Sequence, residues 1–288
     1  MLPWSTVLRV PTDAGDVWFK AAVPCLAHEA RIVQLLAARR PDLVPPLLAV
    51  DVERGWMLLE DAGERLRELL PADSDQSVWL EILPLYAGLQ SDLAADRDAL
   101  IAAGALDHRL TALPARFAGL LRDDDEALGS LTVEERQRLA ALTPRIEADC
   151  GRLAEFGIEE TIQHDDLHDG QVFVRGGRYL ILDWGDACVS HPFFTLVVTL
   201  AVIAHRLGVD ASEPAVASFR DAYLGCWTQV APREELERAY PLSHRLGVLA
   251  RGLTWAHIVR SIPRPLHDLQ VDAVPERMRM LLEVYEDS

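Results

Sequence analysis

The chain opens on alternation. Residues 5–10 and 16–23 set apolar and polar side chains on opposite faces with a period of two, and Pro11-Thr-Asp-Ala-Gly15 between them has the composition of a turn. This pattern predicts a β-hairpin. From residue 28 the period changes. His28-Glu-Ala-Arg-Ile-Val-Gln-Leu-Leu-Ala-Ala repeats its apolar positions three and four apart, which predicts an amphipathic helix over about 28–39 that ends before Pro41. Residues 47–52 and 55–60 alternate again around Glu53-Arg54-Gly55 and predict a second strand pair, and the run from Trp56 stops at Gly63.

From about residue 64 helical spacing dominates. It is clearest over 77–95 and over 132–156, where Glu134 and Glu135 follow Thr132 as at a helix start. Residues 193–204 are the longest apolar stretch, too short to span a bilayer and suited to a buried central helix. Further helices are expected near 212–230, 233–261 and 274–287, and no internal repeat or low-complexity tract interrupts them. One segment reverts to strand. Residues 172–174 and 179–182 are β-type runs on either side of Gly176-Gly177, a hairpin signal. The turns that carry Asp166 and Asp183 therefore lie at the same end of that hairpin. Carboxylates converging at strand ends suit metal-assisted transfer chemistry, in which oxygen ligands and a phosphate share a divalent cation.

The basic residues add a separate signal. Of 28, Lys20 is the sole lysine. A chain that uses arginine everywhere else keeps a lysine where a compact point charge is needed and a planar fork is too wide, as at phosphate oxygens in a narrow cleft. Glu29, nine residues on, opens the first helix. A surface lysine and a helix-start glutamate favoured by the macrodipole are the plainer account of this pair taken alone.

The segment His164-Asp-Asp-Leu-His-Asp-Gly-Gln171, the hairpin, and Asp183-Trp-Gly-Asp186 together resemble the catalytic loop and metal-binding turn of the aminoglycoside phosphotransferase family. That family is a small-molecule branch of the kinase-like fold. Its pattern is His-x-Asp-x-x-x-x-Asn, then a hairpin, then Asp-x-x-Asp, and Gln171 stands here in place of Asn. The resemblance implies that Asp166 accepts the substrate hydroxyl proton, that Asp183 and Gln171 hold Mg2+, and that His164 braces the loop. The extra methylene of Gln171 moves its amide oxygen outward. Asp165 stands where Gly is frequent, Asp186 is the second acid of the turn, and His168 and Asp169 either touch substrate or stabilise the loop. Lys20 and Glu29 match the phosphate-pairing lysine and its helix glutamate, and the connector at Leu59 and Asp61 would offer backbone groups to an adenine ring. Arg251, Trp255 and His257 fall in the region that builds the family's substrate pocket, although a packing stripe explains each of them alone.

The implied fold is α+β and bilobal, protein-kinase-like. A small antiparallel-sheet lobe, residues 1–62, would bind nucleotide, and a mostly helical lobe, residues 63–288, would carry the catalytic loop and substrate pocket. The family's first strand and phosphate-covering loop are not legible ahead of residue 5, and Trp4-Ser5-Thr6 is a candidate remnant of that loop, with hydroxyls able to face phosphates. The implied activity is transfer of the γ-phosphoryl group of ATP or GTP to a hydroxyl of a small molecule, an antibiotic such as an aminoglycoside or a metabolite. The competing expectation is a degenerate, non-catalytic nucleotide-binding protein. A protein kinase is set aside because no Asp-Phe-Gly or Ala-Pro-Glu pattern follows the turn.

Composition narrows the partners. The net charge of −17 excludes nucleic acid and an anionic membrane surface and is compatible with a cationic substrate. The cysteines at 25, 150, 188 and 226 have no zinc or redox spacing and read as reduced thiols of a cytoplasmic protein. The first residues have no basic and apolar pattern of a signal peptide.

Overall fold

The computed structural model describes residues 4–13, 15–71, 75–123, 126–261 and 272–286. The first hairpin is β1 (Ser5–Thr12) and β2 (Gly15–Ala22). Its turn is tighter than the sequence suggests. Pro11 and Thr12 stay in the strand, opposite Asp16 and Gly15. Pro11 is tolerated because β1 is an edge strand. After a 3-10 turn, α1 (Glu29–Arg39) buries Ala30, Ile32, Val33 and Leu36 on one face. The strands β3 (Leu47–Asp51) and β4 (Trp56–Glu60) complete an antiparallel sheet of order β1-β2-β4-β3, and α1 packs on β3.

The chain then crosses to the helical part through β5 (Glu64–Arg65) and α2 (Leu66–Leu69). It continues with α3 (Trp79–Leu93), α4 (Arg97–Ala103), β6 (Leu106–Asp107), α5 (Leu113–Asp123) and α6 (Val133–Ala154). Short strands follow: β7 (Thr161–Gln163), β8 (Val172–Arg175), β9 (Arg178–Ile181) and β10 (Cys188–Ser190). The end is helical: α7 (Leu196–Leu207), α8 (Pro214–Gly225), α9 (Arg233–Ser261) and α10 (Ala273–Glu286). The apolar run expected as one helix from residue 193 begins instead as a 3-10 turn, Pro192–Thr195, before α7.

Two three-stranded sheets position the loops that matter. The hairpin β8–β9 takes β5 as its third strand, with Glu64 opposite Val174, so the connector between the two parts docks directly on the hairpin. The strand β10 lies between β6 and β7. Residues 164–171 thus run from β7 to β8, and residues 182–187 run from β9 to β10. The side of β7 is braced from α3. Tyr86 Oη donates to Gln163 (2.8 Å), Gln90 Nε2 donates to the Ile162 carbonyl (3.0 Å), and Thr161 donates to the Gln90 carbonyl (2.6 Å). One apolar cluster runs through both parts, from Ile32 and Met57 to Trp184, Leu249 and Met278. Buried hydrogen bonds inside that cluster fix where β7 ends and so where the loop begins.

Candidate active site

Lys20 is the one buried residue of β2. Its Nζ donates to Glu29 Oε1 and to Asp183 Oδ1, each at 2.6 Å. Glu29 also accepts from the Trp184 backbone N–H (3.1 Å), so a single carboxylate at the start of α1 ties the sheet lysine to the turn after β9. Burial would lower the Lys20 amine, but Asp183 and Glu29 outweigh it and hold the amine above its ordinary value. Glu29 shares that cation with Asp183, so burial prevails there and raises its carboxyl. Lys20 holds Asp183 below the usual carboxylate range against burial. The Glu29 side chain is 3% exposed and the Asp183 side chain 42%, so Asp183 is the carboxylate that an incoming ligand can reach.

His164 leads the loop after β7. Its Nδ1 accepts from the Asp166 backbone N–H (3.3 Å), which leaves the proton on Nε2, and Nε2 donates to the Leu182 carbonyl (2.8 Å). Burial lowers its pKa and keeps the ring neutral, and Trp184 packs on it with centroids 4.7 Å apart. The ring pins the Asp166 loop to the Asp183 turn and has no nitrogen left for substrate. His168 Nδ1 accepts from the Gly170 backbone N–H (2.9 Å) and faces Arg67 Nη2 (3.1 Å), so its Nε2 proton points to Asp166 Oδ2 at 3.4 Å. Asp169 is buried between Arg67 (2.7 Å) and Arg206 (2.8 Å) and serves the loop, not the solvent side.

Asp166 sits at the centre. Its Oδ1 accepts from Arg251 Nη2 at 2.8 Å. Burial would raise its carboxyl, but Arg251 and then His168 hold it well below the carboxylate range. Gln171 Nε2 lies 3.4 Å from both Asp166 Oδ2 and Asp183 Oδ2. Asp165 and Asp183 adopt positive φ (65° and 66°), costly for residues with a Cβ. Both strained positions flank the point where the two turns meet.

A cavity of about 250 Å³ opens between the sheet and these turns. Lys20, Glu29, Gln171 and Asp183 are among its polar lining residues, and Val33, Met57 and Leu59 among its apolar ones. Ser5 also faces it, as do the connector residues Glu60, Ala62 and Gly63. Asp61 does not line it. Its Oδ2 accepts from Trp18 Nε1 (2.7 Å) and its Oδ1 from the Gly63 N–H (2.8 Å), which makes it a brace of the connector.

The donor set fits a divalent cation only with help. Among the described residues no three His, Cys, Asp or Glu side chains converge to hold an ion by themselves. The exposed Asp183 carboxylate and the Gln171 amide, whose oxygen sits on the same carbon as Nε2, offer two protein donors beside a cavity that can supply phosphate oxygens. A partial oxygen shell completed by phosphate and water is how Mg2+ is usually bound.

Of the residues the sequence singled out, Lys20, Glu29, Leu59, Gln171 and Asp183 line this cavity, Asp166 lies beside it in contact with Gln171, and Asp61 stays outside it. The sequence left Arg251 among packing residues, although Arg251 contacts Asp165, Asp166 and Asp186 together. Trp255 packs under that guanidinium, 5.2 Å from ring centroid to Cζ. His257 Nε2 lies 3.4 Å from the Cys25 carbonyl, away from the acids. All four cysteines are free, and among the described residues no helix is long and apolar enough to cross a membrane.

The model of the phosphotransferase enzyme family APH matches residues 5–233. No curated protein is similar in sequence at a significant level. Solved structures share the fold. The ethanolamine kinase of Plasmodium vivax superposes with a TM-score of 0.63 at 13% identity, covering 96% of this chain and 79% of its own. The choline kinase of Streptococcus pneumoniae gives 0.60 at 13% identity, covering 98% and 90%. The macrolide 2'-phosphotransferase of Brachybacterium faecium gives 0.56 at 18% identity, covering 95% and 89%.

Proposed function

The chain belongs to the phosphotransferase enzyme family APH, and from that premise we propose that it transfers the γ-phosphoryl group of ATP or GTP to a hydroxyl of a small molecule in a Mg2+-dependent reaction. The observation that carries this reading is the buried Lys20, bonded at 2.6 Å to both Glu29 and Asp183, in the lining of a cavity that Gln171 also lines and from which Gln171 reaches Asp166. A degenerate scaffold has no need to bring a sheet lysine and a turn aspartate, 163 residues apart, into one ion pair.

In this reading the nucleotide base lies at Leu59 and the connector backbone, and the phosphates lie at Lys20. Asp183 and the Gln171 amide oxygen would hold Mg2+, which when bound offsets phosphate charge. Asp166 orients the acceptor hydroxyl and takes its proton. In phosphoryl transfer positioning and charge stabilisation dominate, so an aspartate kept weakly basic by an arginine is still adequate. Base assistance of this kind contributes roughly 10²–10⁴-fold. The acceptor is a hydroxylated antibiotic or metabolite, the substrate classes named for the macrolide phosphotransferase and the choline and ethanolamine kinases that share the fold.

The test is nucleotide binding and turnover in two variants. Asp166→Ala is expected to keep the melting shift given by MgATP or MgGTP and to lose nearly all transfer. Asp183→Ala is expected to lose the metal-dependent part of the shift as well. Turnover equal to wild type in either variant rejects the assignment. A nucleotide shift without metal dependence and without turnover favours the degenerate reading instead.

A further inference from the structure

Arg251 belongs to α9, 85 residues from Asp166 in sequence, and is 3% exposed. Its Nη2 reaches Asp166 Oδ1 at 2.8 Å, and its Nη1 reaches Asp186 Oδ2 at 2.7 Å and Asp165 Oδ2 at 3.3 Å. One face lies on Trp255. The Nε is buried with no hydrogen-bond partner among the described residues. An arginine kept only to anchor its helix would direct donors to backbone carbonyls or to a neighbouring helix. Among the described residues every hydrogen-bond partner of this one is an acid of the two active-site turns, and it bridges them.

The bridge has a consequence for Asp166. One carboxylate oxygen is committed to the guanidinium. The other, Oδ2, has among the described residues only two long contacts, to Gln171 Nε2 and His168 Nε2, each 3.4 Å. We propose that Arg251 is a positioning residue for phosphoryl transfer: by holding Oδ1 it turns Oδ2 of Asp166 toward the acceptor hydroxyl and fixes the base loop against the turn of Asp183. This rests on the phosphotransferase reading. In the step so arranged, the acceptor O–H gives its proton to Asp166 Oδ2 as the acceptor oxygen bonds to the γ-phosphorus. The bond from that phosphorus to the β,γ-bridging oxygen breaks, and its electron pair leaves with the nucleoside diphosphate. Arg251 transfers no proton and touches no reacting atom. The guanidinium gives Asp166 one nitrogen and Asp165 and Asp186 another, whereas a lysine would have a single nitrogen to share among all three.

The test is a double-mutant cycle that uses water as the acceptor, so that no substrate needs to be known. Hydrolysis of MgATP and of MgGTP is measured for wild type, Arg251→Met, Arg251→Lys, Asp166→Asn and the two double variants. Nucleotide affinity is followed through KM and the melting shift with MgADP or MgGDP. The expected result is a fall in kcat of about tenfold or more for Arg251→Met with KM changed by less than about threefold, and a smaller fall for Arg251→Lys. In the Asp166→Asn background the same Arg251 changes are expected to have no further effect, because Arg251 acts through that carboxylate. Unchanged kcat, or an equal loss in both backgrounds, overturns the proposal and leaves Arg251 as a charge partner of buried acids. If Arg251→Met does not fold, Arg251→Lys keeps the buried charge and carries the same cycle. Asp166-dependent hydrolysis that ignores Arg251 overturns this proposal alone, whereas wild type with no Asp166-dependent hydrolysis overturns the phosphotransferase reading together with it.

Discussion

A lysine between two carboxylates is a case where charge and shape can be varied separately. In Lys20→Met, Glu29 and Asp183 face each other without a cation. Breaking a buried pair from one side costs about 3–5 kcal/mol. Because the Asp183 side chain is 42% exposed and partly screened, the loss is expected near the lower end. Lys20→Arg keeps the charge but puts a wide fork where a narrow amine reaches both acids at 2.6 Å. It is expected to unfold at nearly the wild-type urea concentration while its MgATP affinity falls about tenfold or more, read from urea titrations and nucleotide melting shifts. Lys20 was legible in the sequence because it is a lone lysine and its partner Glu29 stands nine residues away on the next element. Arg251 was not. Among so many arginines nothing distinguishes it, and its contact with Asp166 is made by a helix that the chain reaches only after 85 residues. The same holds for Asp165, whose positive φ and contact with Arg251 leave no mark in the sequence.

Between residues and the whole chain, the elements decide how firmly the turns are held. Gly63 has φ of +85°, and a Cβ placed on it would lie 2.1 Å from the Val174 carbonyl oxygen. The connector can therefore pass the hairpin only as glycine. Gly63→Ala is expected to cost about 1–3 kcal/mol from the clash and about 1–2 kcal/mol from the positive φ. It is also expected to weaken nucleotide binding, since Gly63 faces the cavity. A smaller loss than 1 kcal/mol in urea unfolding, with MgATP binding intact, counts against the connector's role. The helix α6 is set by a capping box, in which Thr132 Oγ1 accepts from the Glu135 N–H and Glu135 Oε2 accepts from the Thr132 N–H. Arg279 of α10 reaches the same Glu135 (2.7 Å). Thr132→Ala is expected to lose about 1 kcal/mol. Arg279, with the Thr132 N–H, pulls the Glu135 carboxyl down from 4.5 to about 2. A lowered carboxyl adds stability above its unfolded value and loses it as pH falls, so this contribution should fade from about pH 4.5 to pH 2. Urea titrations across that window should show a shallower acid-side slope in Glu135→Gln. The sequence marked this helix start, because a cap is local chemistry. It gave no sign of β6, β7 and β10, two or three residues each, because strands that short carry no period and exist only through their pairing.

At the scale of the molecule, 17 uncompensated negative charges repel one another. Many exposed arginine–carboxylate pairs oppose that repulsion locally, such as Arg39–Asp96 and Arg54–Asp51. Each such pair contributes only about 0–1 kcal/mol, and salt screens it. Salt screens the larger collective repulsion as well, over about 8 Å at 0.15 M. The repulsion is the greater term, so the melting temperature is expected to rise from low salt to 0.15 M NaCl. Matching the ionic strength with MgCl2 separates screening from binding, because screening alone then gives equal shifts. The same net negative charge that weakens the fold attracts divalent cations to the chain as a whole. With nucleotide present, MgCl2 is expected to exceed NaCl by the binding increment, about 2.7 kcal/mol at a hundredfold excess over Kd. Asp183→Asn should abolish that increment while leaving the NaCl response in place. If the variant keeps the full increment, Mg2+ is held elsewhere on the acidic surface, and the turn after β9 is not its site.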